Sequence, residues 1–221
     1  MGKLIVLEGT DGSGKSTQMN LLAESLEKSG VPFMRLRFPR YEKDSSALIR
    51  LYLGGAFGGH PKDVNPYAAS LFYAVDRYAS YREDWQKFYE NGGLLIADRY
   101  TTSNAVHQGS KLPPEERKAF FAWLADLEYG KMQLPEPDLV VWLDMPIALS
   151  EKLMRKRENQ TQTTADIHEK DHDYLTKCHE AAAAAAAYYG WRRVACGKES
   201  EIRTIEEVHG DVAALIQEVL G

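Results

Sequence analysis

The sequence predicts an α/β fold in three layers, a five-stranded parallel sheet with helices on both faces. Short apolar runs rich in β-branched residues alternate with longer stretches of helical periodicity along the chain. One of those runs, Leu139-Val140-Val141-Trp142-Leu143, is apolar without a break, as expected of a strand covered on both faces.

In chain order, residues 3–7 read as the first strand and 15–28 as an amphipathic helix, followed by a second strand over 31–38 and a helix over 45–53. Residues 54–59 contain four glycines and read as a flexible loop, because glycine favours unusual backbone angles and weakens helices. A long helix is expected over 66–89 and a strand over 94–97. Beyond them come a helix over 114–127, the run 139–143 as a central strand, and a helix over 147–156. The polar stretch 158–165, with three threonines and two glutamines, reads as a hinged lid. A helix over 166–188 contains the Ala181–Ala187 run, which favours helix at every position and implies close packing on a neighbour. A strand over 192–196 and a helix over 205–220 complete the order.

The chain has 221 residues, enough for one well-buried core with a mobile appendage, so one domain spanning 1–221 is expected. Its 44% hydrophobic and 27% charged residues are those of a globular protein. A formal net charge of -5 argues against nucleic-acid binding through a broad basic surface. Two cysteines are too few for a disulfide framework, no signal-type segment precedes the first strand, and no run approaches a membrane span. A cytoplasmic location without membrane contact is the expectation.

Residues Gly9-Thr10-Asp11-Gly12-Ser13-Gly14-Lys15-Ser16 match the phosphate-loop pattern between an apolar strand and a helix. The glycines let backbone N–H groups converge on phosphate oxygens, and the helix N-terminus faces the same anion. Gly9, Asp11, Gly12, Ser13, Gly14, Lys15, Ser16 and Thr17 are therefore expected to hold ATP. Lys15 would bridge its outer phosphates and Ser16 would ligate Mg²⁺. A guanine-selecting Asn-Lys-x-Asp and an Asp-x-x-Gly switch are both absent, which makes a GTP switch a poor fit. Asp98-Arg99-Tyr100 instead places a carboxylate and a guanidinium at a strand end. Asp98 can orient Mg²⁺ through water, and Arg99 can hold an acceptor phosphate with its forked donors. The six histidines show no metal-ligand spacing, so Mg²⁺ held through phosphates is the one metal expected.

The ordered set of the loop with Thr17-Gln18, Phe38-Pro39-Arg40-Tyr41, Tyr73-Ala74-Val75-Asp76-Arg77, Asp98-Arg99-Tyr100 with Ser103-Asn104, Pro137-Asp138-Leu139 and an Arg-rich lid resembles the thymidylate kinase family nearly end to end. The resemblance implies a P-loop kinase fold with a lid at about 155–170. It also implies transfer of the γ-phosphoryl group of ATP to thymidylate (dTMP), and a homodimer packed through helices, to which the aromatic helix 66–89 would contribute. Asp11 would accept a hydrogen bond from the acceptor's 3′-hydroxyl, Phe38 would pack beside sugar or base, and Tyr73 would stack on the pyrimidine. Arg77 would meet the base edge, Arg99 would hold the acceptor phosphate, and Asn104 and Gln108 would line the same pocket. The loop itself carries no arginine, so Arg155 or Arg157 resembles the lid arginine that reaches the transferring group. Tyr73 stands where many relatives have Phe. His107 stands where a ring often guards the sugar 2′ position and His168 replaces a frequent Tyr, which bears on discrimination against ribose; neither is assigned a catalytic role. Another nucleoside monophosphate or deoxynucleoside kinase shares the Asp-Arg corner and stays open, as does a protein that binds nucleotide without transfer.

Overall fold

A computed structural model describes residues 1–161, 172–198 and 201–221, with side chains described throughout these except at 155–161 and 172. Five parallel strands form the main sheet: β1 (Lys3–Glu8), β2 (Phe33–Arg37), β3 (Leu94–Asp98), β4 (Leu139–Asp144) and β5 (Arg192–Ala195), in the order β2-β3-β1-β4-β5. β1 lies in the middle, pairing with β3 (Leu7 opposite Asp98) and with β4 (Leu7 opposite Val141). The uninterrupted apolar strand β4 lies between β1 and β5 and is not the central one. Its apolarity reports cover on both faces, which any interior strand of such a sheet receives. A second, two-stranded antiparallel sheet, β6 (Gly197–Lys198) with β7 (Glu201–Ile202), was not expected from sequence; strands this short carry no periodicity.

Alternation along β1 builds the two outer layers. Leu4 and Val6 join one core with Phe120, Phe121 and Cys178, while Ile5 and Leu7 join the other with Met19, Leu22, Val208 and Ile216. The second core is thus closed by α1 (Lys15–Lys28) and α9 (Ile205–Leu220). On the first face α8 (His172–Tyr189) lies against α5 (Thr101–His107) and α6 (Pro114–Ala125), with Ala181, Ala182, Ala185 and Ala186 buried, as the alanine run implies.

The long aromatic helix is interrupted. α3 (Pro66–Ser80) starts on an Asn65 cap, passes through a π-turn at Tyr81–Trp85 and resumes as α4 (Gln86–Glu90). The wider turn buries Trp85, whose Nε1 donates to Ser80 Oγ, and brings Glu83 and Asp84 onto the Arg40 guanidinium. Asp76 completes that cluster, accepting from Arg40 N and Nε and from Ser45 Oγ.

α2 (Ala47–Leu53) follows one 3-10 turn, and α7 (Ile147–Thr161) runs five residues beyond its expected end, into the first part of the stretch expected to be a hinged lid. Residues 162–171, with His168 and much of the expected lid, lie outside the described residues. Among the described residues no helix is long and apolar enough to cross a membrane. Cys178 and Cys196 are both free and buried.

Candidate active site

A cavity of about 580 Å³ opens beyond the carboxyl ends of β1, β2 and β3, where ligands collect in such sheets. Asp11–Thr17 follow β1, Phe38 and Pro39 follow β2, and Asp98 with Arg99 closes β3; all line the space. Tyr73 and Arg77 reach it from α3, and Asn104 and Gln108 from α5 and its end. Of the expected site residues with described side chains, Gly9 alone is not in the lining. Arg155 and Arg157 stand on α7 beside it in sequence, but their side chains lie outside the described residues.

The phosphate loop needs its glycines for different reasons. Gly14 caps α1 at φ 87°, a left-handed angle costly for other residues. Gly12, at φ 76°, also approaches α7 so closely that a Cβ would lie 2.6 Å from the Ser150 carbonyl oxygen. Lys15 Nζ donates to the carbonyls of Gly9 (2.5 Å) and Thr10 (3.1 Å). Burial first, and the charge of Arg99 second, lower the Lys15 pKa to about 8 despite Asp11, Glu8 and Asp98 nearby. Thr10 Oγ1 and Ser13 Oγ are buried with no hydrogen-bond partner among the described residues, acceptor-seeking hydroxyls in a loop shaped for oxygen anions.

Arg99 leaves β3 at φ 66°, an uncommon angle for a residue with a Cβ, while its N–H donates to Leu7 O at 3.3 Å and extends the ladder to β1. Its Nη2 donates to Asp11 Oδ1 at 2.5 Å, and its Nη1 lies 2.9 Å from His107 Nε2 and 3.7 Å from Glu8 Oε1. Burial pulls the guanidinium pKa down, but Asp11, Glu8 and Asp98 outweigh it and hold it above its ordinary value. Because an arginine only donates, His107 Nε2 must accept, which places the ring proton on Nδ1, 3.1 Å from Tyr174 OH.

α5 was not expected, since Thr, Ser and Asn are weak helix formers. Tertiary bonds hold it: Thr102 Oγ1 and Ser103 Oγ donate to the buried Glu8 carboxylate. One turn of this helix then delivers Ser103, Asn104 and His107 to a single wall. Phe38 is only 4% exposed and packs on the Tyr100 ring at 5.8 Å, so it offers the cavity little of its surface. Gln108 is 1% exposed and its Oε1 has no partner among the described residues.

Arg77 is fully buried and doubly bonded to Glu128, Nε to Oε2 at 2.6 Å and Nη2 to Oε1 at 2.5 Å. Asn104 Nδ2 shares that carboxylate. Glu128 has no counterpart among the residues singled out from sequence, and no spacing could have found it. It stands in a π-turn (Asp126–Lys131) that continues α6 past its expected end and turns the carboxylate inward. Glu8 was given no role from sequence; its place directly before the loop was the available signal.

A family model described as thymidylate kinase matches residues 7–212. A thymidylate kinase of Mycobacterium tuberculosis (strain ATCC 25618 / H37Rv) is 31% identical over 190 residues, 85% of this chain and 87% of that one. The thymidylate kinase of Synechococcus sp. (strain CC9311) is 34% identical over 160 residues, 72% and 73% of the two chains. A protein named "probable thymidylate kinase" in Thermococcus onnurineus (strain NA1) is 28% identical over 218 residues, 98% of both.

Proposed function

The chain belongs to the thymidylate kinase family of ATP-dependent nucleoside monophosphate kinases, and on that premise we propose that its cavity transfers the γ-phosphoryl group of ATP to dTMP, giving dTDP and ADP. The observation that carries this reading is the shared space: the phosphate loop and the Arg99-Asp11 corner border one cavity, so two phosphate-binding elements face each other.

In this reading Lys15 exchanges its two carbonyl partners for phosphate oxygens, and the loop N–H groups with the Thr10 and Ser13 hydroxyls surround the ATP tail. Arg99 holds the acceptor phosphate as a planar fork, and Asp11 both aims Arg99 and receives the acceptor's 3′-hydroxyl. An acceptor phosphate oxygen bonds to the γ-phosphorus while the bond to the β-phosphate oxygen breaks and its electron pair leaves with ADP. Tyr73, Phe38, Arg77, Asn104 and Gln108 bind sugar and base. Arg155 and Arg157 are the proposed lid cations.

Mg²⁺ fits the residues present. Ser16 is exposed at the helix N-terminus, Asp98 lines the cavity, and no group of three or more His, Cys, Asp or Glu among the described residues could hold an ion unaided, so phosphate oxygens would complete the shell. The ion would neutralise charge between the phosphates.

A single kinase unit over 1–221 with a lid at about 155–170, a cytosolic setting and a homodimer are parts of the same proposal. Leu71, Val75 and Tyr78 form an exposed apolar stripe on α3, with Leu48 and Leu51 exposed on the neighbouring α2. These residues support the packing of two copies through this face.

ADP release measured with dTMP, dUMP, UMP, dCMP, dAMP and thymidine as acceptors tests the reading. Highest kcat/KM with dTMP is expected; a preference for thymidine itself or for another monophosphate would replace it.

A further inference from the structure

We infer that Glu128, which borders no part of the cavity, is the positioning residue that sets which class of pyrimidine the site accepts; this rests on the kinase reading above. The juxtaposition is two side chains, Arg77 and Asn104, making three bonds to one buried carboxylate. Glu128 is 0% exposed; its Oε2 accepts from Arg77 Nε, and its Oε1 accepts from Arg77 Nη2 and, at 3.3 Å, from Asn104 Nδ2.

The consequence for Asn104 follows from what its neighbours can do. Its Nδ2 also lies 3.1 Å from the Ser70 carbonyl oxygen. A carboxylate and a carbonyl only accept, so the amide must turn its NH₂ group to both, and both N–H bonds are spent. Oδ1 is then the end turned away from Glu128 and Ser70, and it is what Asn104 offers the cavity it lines. Arg77 is fixed likewise. Two of its N–H groups go to Glu128 and one, from Nη1, goes to Tyr100 O at 3.4 Å, which leaves one N–H on each terminal nitrogen outside these bonds.

The wall therefore offers an acceptor beside donors. A 4-oxo pyrimidine such as thymine carries the complementary pair, a donor at N3–H and an acceptor at the 4-oxygen. A 4-amino pyrimidine such as cytosine reverses both and leaves the buried groups facing their like. Glu128 imposes this polarity without touching the base.

The test compares dTMP with dCMP in the whole enzyme bearing Glu128→Gln or Glu128→Asp. In Glu128→Gln an NH₂ in the place of Oε1 meets two donors, Arg77 Nη2 and Asn104 Nδ2, so both bonds at that position are lost and neither side chain is held to one polarity. The ratio of kcat/KM for dTMP over dCMP should fall at least about tenfold, carried by the KM of the monophosphates, with kcat and the KM for ATP within about twofold. Glu128→Asp keeps the charge for Arg77 but is too short to hold Asn104 as well, and should give an intermediate ratio. An unchanged ratio, or a parallel rise of all three KM values, overturns the assignment. Should Glu128→Gln fail to fold by circular dichroism, the Glu128→Asp ratio decides in the same two directions. A wild-type enzyme with no preference for dTMP over dCMP would instead overturn the thymidylate reading.

Discussion

Arg99 and Asp11 are joined across the cavity by a hydrogen-bonded ion pair, although they lie 88 positions apart in the chain. The pair couples the loop after β1 to the corner after β3, and the Arg99 backbone reaches the same loop's strand through Leu7 O.

Arg99→Ala should raise the KM for the acceptor about 10- to 100-fold, the roughly 1.5–3 kcal/mol of a hydrogen bond to a charged group. ATP affinity should change by less than about threefold. Initial rates with each substrate varied in turn would show this; equal losses for both would remove Arg99 from the acceptor side.

In the proposed reading Lys15 should make ATP binding sensitive to alkali. Burial depresses its pKa to about 8, so the ammonium that must meet the phosphates is lost as pH rises through that value. The dissociation constant for ATP should rise above pH 8, approaching tenfold per pH unit. Calorimetric titration between pH 7 and 9.5 reads this directly. Lys15→Ala should abolish turnover and flatten the profile while leaving the fold intact, since Lys15 serves the ligand and not the core.

Arg155→Ala and Arg157→Ala bear on the lid. The acting residue should lower kcat more than ATP affinity if it meets the transferring group in the transition state. Single-turnover rates set beside binding constants separate the two effects, and a change in binding alone would exclude that residue from the chemistry.

Arg40 does not line the cavity and is held by three carboxylates, so its removal should be read in stability. Removing it leaves Asp76, 1% exposed, without its cation and brings Glu83 and Asp84 to a site with no counter-charge. Arg40→Ala should cost about 3–5 kcal/mol in urea denaturation, the usual penalty for breaking a buried pair from one side. A loss below about 1 kcal/mol would show that the cluster behaves as a solvated surface group.

Much of this architecture was legible from period and motif. All five strands of the main sheet lie within about two residues of their expected positions; the interior strands β1, β3 and β4 are legible as apolar runs covered on both faces, while the edge strands β2 and β5 carry exposed arginines. The phosphate loop was legible because its chemistry is local, one contiguous segment with glycines where the backbone must turn. The roles of Glu128 and Glu8 were not legible, and the residues of α5 were expected at the pocket but not as a helix, for one physical reason. Their roles arise from contacts between segments distant in sequence: Glu128 meets Arg77 across 51 positions, and Thr102 meets Glu8 across 94. The π-turns at 81–85 and 126–131 left no mark either, since one extra residue in a helical turn barely shifts the apolar period.

The pairing of Leu7 with Asp98 places the roots of the phosphate loop and of Arg99, the proposed donor and acceptor anchors, side by side on neighbouring strands. The spacing between the two phosphate anchors is thereby inherited from the inter-strand gap, about 4.8 Å in any sheet, and a register slip of one residue would displace one anchor by about 3.3 Å. Reach is thus set by the most rigid part of the molecule. Divergence in the covering segments can retune speed or choice of base while the ruler between the reactants keeps its length.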